Sequence, residues 1–288
     1  MLSGLMLGFF RKEKANGSGL SISNFMDPQE SVLKIASKQV IFCGENDRII
    51  DALSYMLAGM RRLPVVGEDM EIKGIVSSTD VLNFIGGGDK HKLFTNTGLS
   101  ATLKKIMSTD VQCVLDTDCL PVALEIFKMN GRPIQPVANQ KKLSALVSET
   151  DIVNMISRPT GIRVSSVMSG KPITAQESQT VYDVAKMMCR GAYRRLPVAK
   201  NGVVTGIVTP HDILAHLNRN EALNMLRFEH SPISAVMSRT VAIVRPDADV
   251  YEAVAEMKAK KVSGLPVMNE DLDLVGMITK KDIIRAMG

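Results

Sequence analysis

"YRRLPVAKNGVVTGIVTPHD", residues 193–212, decides how the whole chain is read. Two arginines precede an apolar run, Lys-Asn-Gly separates it from a second run, and Thr-Pro-His-Asp closes it. Asn and Gly supply turn geometry between β-forming segments. The stretch therefore predicts strand, turn, strand, and then a helix. The pattern returns as "MRRLPVVGEDMEIKGIVSSTD" at 60–80, "IQPVANQKKLSALVSETD" at 134–151 and "SGLPVMNEDLDLVGMITKKD" at 263–282. The closing aspartates Asp80, Asp151, Asp212 and Asp282 are 71, 61 and 70 residues apart, and Pro64, Pro136, Pro197 and Pro266 stand 15 or 16 residues before them. Self-similarity at this period marks one supersecondary unit used four times.

The pattern extends upstream. "IMSTDVQCV", "VMSGKPITA" and "VMSRTVAIV" open copies two, three and four, and "IASKQVIFC" opens copy one with Ala36 in place of Met. Helical spacing follows, as in Ile49, Ile50, Leu53, Met56, Leu57 and Met60, or Val250, Ala253, Val254 and Met257. Asp47, Asp118, Ser178, and Asp247 or Asp249 stand where helix N-caps are expected. The methionines on these helices read as gap-filling core. The expected order within a unit is short strand, helix, strand, turn, strand, helix. A unit of about 60 residues is marginal alone, so the copies should pack in pairs, one with two and three with four. The division is an extension at 1–29, repeats at 30–86, 106–158, 162–218 and 233–288, and linkers at 87–105 and 219–232, with the main boundary near residue 160. Gly86-Gly87-Gly88 marks the first linker.

Bulk composition narrows the function. The 288 residues carry 35 basic and 30 acidic side chains, a net +5 that is dispersed along the chain, and there is no tryptophan. That is a poor basis for a nucleic-acid surface or a base-stacking platform; "RKEK" at 11–14 is the densest basic run. The N-terminal apolar run is roughly ten residues, too short to span a bilayer. No pair among Cys43, Cys113, Cys119 and Cys189 has Cys-x-x-Cys spacing, so free thiols in a reducing cytoplasm are expected. His211 and His216 are five apart and do not form a helical metal pair. Neither a Walker A motif nor a strand-linked G-x-G-x-x-G is present, and no nucleophile or metal set accompanies Asp212 and His211; no enzyme is indicated.

The ends of each unit carry the chemistry. Ser77, Ser148, Thr209 and Thr279 each stand three residues before the closing aspartate, the spacing of a capping box. The same short carboxylate, fixed where a helix N-terminus faces strand ends, could also accept hydrogen bonds from a vicinal diol such as a ribose. Arg61-Arg62 and Arg194-Arg195 end the first helix of copies one and three. They are either charges favoured by the helix dipole or a clamp for phosphate oxygens. Copy two has only Arg132 nearby, and copy four has Lys260 and Lys261.

The G-[IM]-[IV]-[ST]-x-x-D strings, with "LPV" before them and "VMS" opening the units, resemble cystathionine-β-synthase (CBS) domains. Four copies with paired arginines look like the archaeal four-CBS proteins related to the gamma subunit of AMP-activated protein kinase. The resemblance covers about residues 30–288. It implies an α/β fold of four β-α-β-β-α units, paired into two Bateman modules that form a flat disc, and it leaves room for a homodimer of such discs. It implies ribose contacts at Asp80, Asp151, Asp212, Asp282, Ser77, Ser148, Thr209 and Thr279. Phosphate contacts fall at Arg61, Arg62, Arg132, Arg194, Arg195, Lys260 and Lys261. An adenine pocket falls at Val40, Gln112, Ile173, Ala242, Val262, Ser263 and Gly264. The implied ligands are AMP, ADP or ATP, with no catalytic cofactor, no membrane and no nucleic acid, and the implied output goes to a separate regulated protein. The alternatives are another adenosine ligand, such as S-adenosylmethionine, or nucleic acid. Copy two departs most, with Gln135 for Leu, Ala145 for Gly and a polar Gln112, so the sites of copies one and three should have the best phosphate chemistry.

Overall fold

The computed structural model describes residues 20–25, 27–87, 99–219 and 230–288. The basic run at 11–14, Gly88 and much of both linkers lie outside the described residues. Among the described residues no helix is long and apolar enough to cross a membrane.

Each repeat is built on an antiparallel hairpin. The pairs are Arg62–Val66 with Ile72–Ser77, Ile134–Asn139 with Lys142–Ser148, Leu196–Lys200 with Val203–Val208, and Gly264–Met268 with Leu274–Thr279. All four carry a register shift at the same place, with the extra residue just before Gly74, Ala145, Gly206 or Gly276. Short segments run parallel to the first hairpin strand: Cys43–Gly44, Val114–Leu115, Ala175–Gln176, and a single bridge from Val244 to Val267. Between them lie the first helices, Ile49–Leu57, Leu120–Asn130, Val181–Gly191 and Val250–Ala259. The apolar spacing seen in the sequence puts one face of each in the core, for example Ile49, Ala52, Leu53 and Met56.

The expected order holds, and the residues ahead of each short strand add a feature to it. These residues cross to the sheet of the paired repeat. Ser37 bridges Leu146, Ser108 bridges Ile75 and Ser238 bridges Ile207, while Ser169–Gly170 adds a strand to repeat 4 along Gly276 and Met277. The exchange is reciprocal within pairs one–two and three–four. It also explains two departures in the sequence. A Cβ on Gly74 would lie 2.9 Å from Met107 Sδ, and one on Gly206 would lie 2.5 Å from Met237 Sδ; Gly276 meets Met168 in the same way. Ser37 bridges Leu146 as Ser108 bridges Ile75, so Ala36 takes the place of Met107 and Ala145 the place of Gly74. The missing methionine of copy one and the missing glycine of copy two are thus one compensated pair.

Helices join the pairs across. One apolar core combines repeats 1 and 3, and the other combines repeats 2 and 4. The connection near residue 160 is pinned by Asp249, whose carboxylate accepts hydrogen bonds from Thr160 N (3.0 Å), Thr160 Oγ1 (2.8 Å) and Gly161 N (2.7 Å). With sheet contacts within pairs and helix contacts between them, the four repeats close on a common centre.

Two expected N-caps move by one residue. Arg48 and Cys119 hold the cap positions, whereas Asp47 Oδ2 accepts from Gly44 N and Asp118 Oδ2 from Leu115 N, each at 2.8 Å. These carboxylates close the turn leaving the short strand. In repeat 3 Thr180, not Ser178, caps the helix, and in repeat 4 it is Asp249 rather than Asp247.

The Ala36–Ala145 pairing makes a testable prediction. Ala36→Met should destabilise the protein by about 1–3 kcal/mol through overpacking, and adding Ala145→Gly should recover more than half of the loss in a denaturant-melt double-mutant cycle.

Candidate functional site

Every junction between the second hairpin strand and the second helix is a capping box. Asp80 Oδ2 accepts from Ser77 N (2.8 Å) and Ser77 Oγ (2.6 Å), while Asp80 N donates to Ser77 Oγ (3.3 Å). Ser148 with Asp151, and Thr209 with Asp212, repeat this geometry. So does Thr279 with Asp282, whose Oδ2 accepts from Thr279 N at 2.9 Å. The cap uses Oδ2 alone. Asp282 Oδ1 instead accepts from Ser169 Oγ at 3.0 Å, and Ser169 belongs to the segment crossing over from repeat 3. Burial raises the Asp80 carboxyl above its ordinary value, against the opposing effects of the Ser77 hydrogen bonds and the charges of Arg62 and Arg132.

The junctions surround a central cavity of about 540 Å³, lined by all four repeats. Arg61 and Arg62 come from repeat 1, Arg194, Arg195 and His211 from repeat 3, and Lys261 and Lys280 from repeat 4. Repeat 2 contributes Ser148, Glu149 and Thr150, and Glu149 is the one acidic side chain in the lining among the described residues. Crowding shows in the bases. Burial, seconded by the charge of Arg194, lowers the Arg62 guanidinium to about 9. Arg195 falls to about 10 from burial and the charges of Arg194 and Arg61. Lys280, with Nζ donating to Thr150 Oγ1 at 2.9 Å, is also lowered by burial. His211 Nδ1 is buried without a hydrogen-bond partner. The arrangement is a ready-made receptor for a polyanion.

A second cavity of about 340 Å³ opens between repeats 3 and 4. Pro172, Ile173, Leu196, Pro197 and Met277 make it apolar, and Thr279 and Lys281 stand on its polar side. Glu149, Arg194, Arg195 and Ser263 line both cavities. Arg195 donates to the Ser263 carbonyl (2.8 Å) and to Ser263 Oγ, and Arg194 lies 3.8 Å from Glu149 Oε2. An apolar slot with the Thr279 hydroxyl in its wall thus leads through two arginines into the cationic centre.

The other expected residues are spread more widely. Val262 lines the central cavity, and Gly264 lies under Arg195, where a Cβ would collide with the guanidinium. Arg132 donates to Ser108 Oγ at 3.1 Å, on the Asp80 side of pair one–two. Lys260 is an exposed helix C-cap outside the central lining. Val40 and Ala242 are half-buried and Gln112 is exposed. Sequence reasoning passed over Glu149, Thr150, Lys280, Lys281 and Ser169. The first four occupy the two places between the hydroxyl and the aspartate, which the repeat comparison treats as variable. Their position in the first turn of a helix facing the centre was the available signal.

The CBS-domain family model matches residues 32–87, 164–219 and 233–288. The segment between the first two matches folds as the remaining repeat. Protein MJ1225 of Methanocaldococcus jannaschii is 28% identical over 276 residues, covering 88% of this chain and 98% of its own. Its crystal structure, described as that of a proposed archaeal homologue of g-AMPK, superposes with a TM-score of 0.81 over 88% of this chain and 99% of that one, at 26% identity. A Thermofilum pendens protein from a ribosomal RNA operon is 25% identical over 83% of this chain and 85% of its own length. A conserved Pyrococcus horikoshii protein shares the fold, with a TM-score of 0.61 over 88% of this chain and 98% of its own at 19% identity.

The capping geometry has a ligand-independent consequence. Asp212→Ala should cost about 0.5–2 kcal/mol of unfolding free energy in urea melts without any ligand, and Asp212→Asn, which keeps an acceptor oxygen, should cost less than half of that. Equal losses would show that charge, not the cap hydrogen bonds, sets the junction's stability.

Proposed function

The chain belongs to the CBS-domain family, and we propose that it is a regulatory binding protein for adenine nucleotides, AMP, ADP or ATP, that reports their binding to a separate partner protein. One observation carries this reading: the apolar cleft between repeats 3 and 4 and the cationic cavity share Arg194 and Arg195 as a common wall. A nucleotide needs that sequence of environments. The base fits an apolar slot beside Ile173, and the ribose diol is matched by Thr279 and Asp282. The phosphates are matched by guanidinium groups, which stay charged and offer paired donors. The likeness to MJ1225, itself described as a proposed homologue of g-AMPK, supports the same reading.

The residues suggest how binding would be passed on. The cleft wall belongs to two repeats, and its inner end adds Glu149 from a third. A ligand touching all of them favours one relative arrangement of the repeats and so shifts a population. Nucleotides with different numbers of phosphates would compete for the same arginines and set the output by their ratio. A sulfonium ligand such as S-adenosylmethionine would bring positive charge toward those cations and should bind less well.

Calorimetric titration with AMP, ADP, ATP and S-adenosylmethionine tests this. The wild type should bind the nucleotides, with S-adenosylmethionine at least about tenfold weaker, a gap of about 1.4 kcal/mol. Arg194→Ala/Arg195→Ala should lose affinity, most for ATP. Because Arg195 also holds Ser263, exposed Arg61→Ala serves as a second variant with a smaller loss of the same sign. Absence of nucleotide binding, or unchanged binding in the double variant, would reject the reading.

A further inference from the structure

The second helices of the four repeats begin with different residues at equivalent places: Ser78, Glu149, Pro210 and Lys280. Only repeat 2 puts a carboxylate there. Glu149 is 6% exposed and lies among the bases of the centre, with Arg194 Nη1 nearest at 3.8 Å. That separation is too long for a tight hydrogen-bonded pair. The carboxylate is held by the surrounding positive field, and it in turn supports the charged forms of Arg62, Arg195, Lys280 and Lys281. It also lines the cleft between repeats 3 and 4, although it comes from the other pair. Glu149 therefore stands where that cleft opens into the cationic centre.

We propose that Glu149 is a resident anion that determines how many phosphates the cleft of repeats 3 and 4 accepts, a specificity role that rests on the nucleotide reading above. A single phosphate can use Arg195 while Glu149 keeps Arg194. Each further phosphate extends toward the centre and meets the carboxylate, which must give up Arg194 or lie against a like charge at a position nearly shielded from bulk water. The carboxylate thus disfavours long phosphate chains, although the cavity's net charge would otherwise attract them. It does so from repeat 2, so the other pair of repeats senses the phosphate end of the ligand.

The test is Glu149→Gln, which keeps the size and removes the charge, with Glu149→Ser, the repeat-1 residue type, as a second variant in case the amide packs badly. Titrations use AMP, ATP and inorganic tripolyphosphate at fixed ionic strength, with thermal melts to confirm folding. The expected result is a gain for ATP on the order of tenfold, an AMP affinity changed by less than about threefold, and a gain for tripolyphosphate. Equal gains for AMP and ATP, or an unchanged ATP-to-AMP ratio in a protein that binds AMP, would overturn the proposal. If neither form binds a nucleotide, the nucleotide reading fails separately. Tripolyphosphate then decides for Glu149: no gain in either folded variant overturns its role, and a gain supports it.

Discussion

The reciprocal crossing of the opening segments is the constraint on which the molecule depends. A three-stranded sheet on a unit of about 60 residues cannot cover its own surface. Here each sheet is completed by the neighbour's opener, and the contact is close enough that glycine faces methionine at three junctions. Neither repeat of a pair has a complete sheet environment without the other. The cleft therefore has walls from two repeats, and anything bound in it touches both. At the fourth junction Ala36 and Ala145 hold the places of that methionine and glycine, and the bridge from Ser37 to Leu146 is kept. What the pairing demands is combined volume, not particular residues.

A second economy lies at the strand-to-helix junctions. Local structure already requires a hydroxyl and a short acid there, because the first backbone amides of a helix have no internal partner. That requirement fixes four carboxylates in the same orientation about one centre. Only Oδ2 is taken by the cap, as the Ser169–Asp282 hydrogen bond to Oδ1 shows. A capping role for these residues thus leaves Oδ1 free to take a further hydrogen bond. On the nucleotide reading proposed above, the cap would hold the Asp282 carboxylate rigidly beside the cleft that Thr279 lines.

The hairpins, first helices and closing aspartates were legible in the sequence because they follow local rules of turn chemistry, periodicity and capping. The pairing of copies was legible too. The destination of the openers was not: "VMS" looks the same whether its strand joins its own sheet or its neighbour's. Asp47 and Asp118 were read as caps because the residue type suits a cap, but each spends its carboxylate on the preceding turn. Glu149 and Lys280 were missed for a different reason. Aligning copies draws the eye to what repeats, whereas a site at the meeting point of four copies is specified by the places where they differ.

That difference governs the electrostatics of the centre. Arginines from two repeats and lysines from a third point into one volume, and burial gives none of them the full hydration it would have at the surface. Such a cluster costs free energy unless anionic charge balances it. Four identical repeats would have placed four like residues at this point. The sequence instead sets lysine in one repeat, glutamate in another, and serine and proline in the remaining two. The result is a cavity that keeps an excess of positive charge and carries one internal carboxylate to soften it. Duplication made the geometry symmetric, and divergence at the arginine-pair positions and in the first turn of each second helix made the charge asymmetric. An incoming anion has to work against that asymmetry, so the clefts need not be equivalent even though their backbones are.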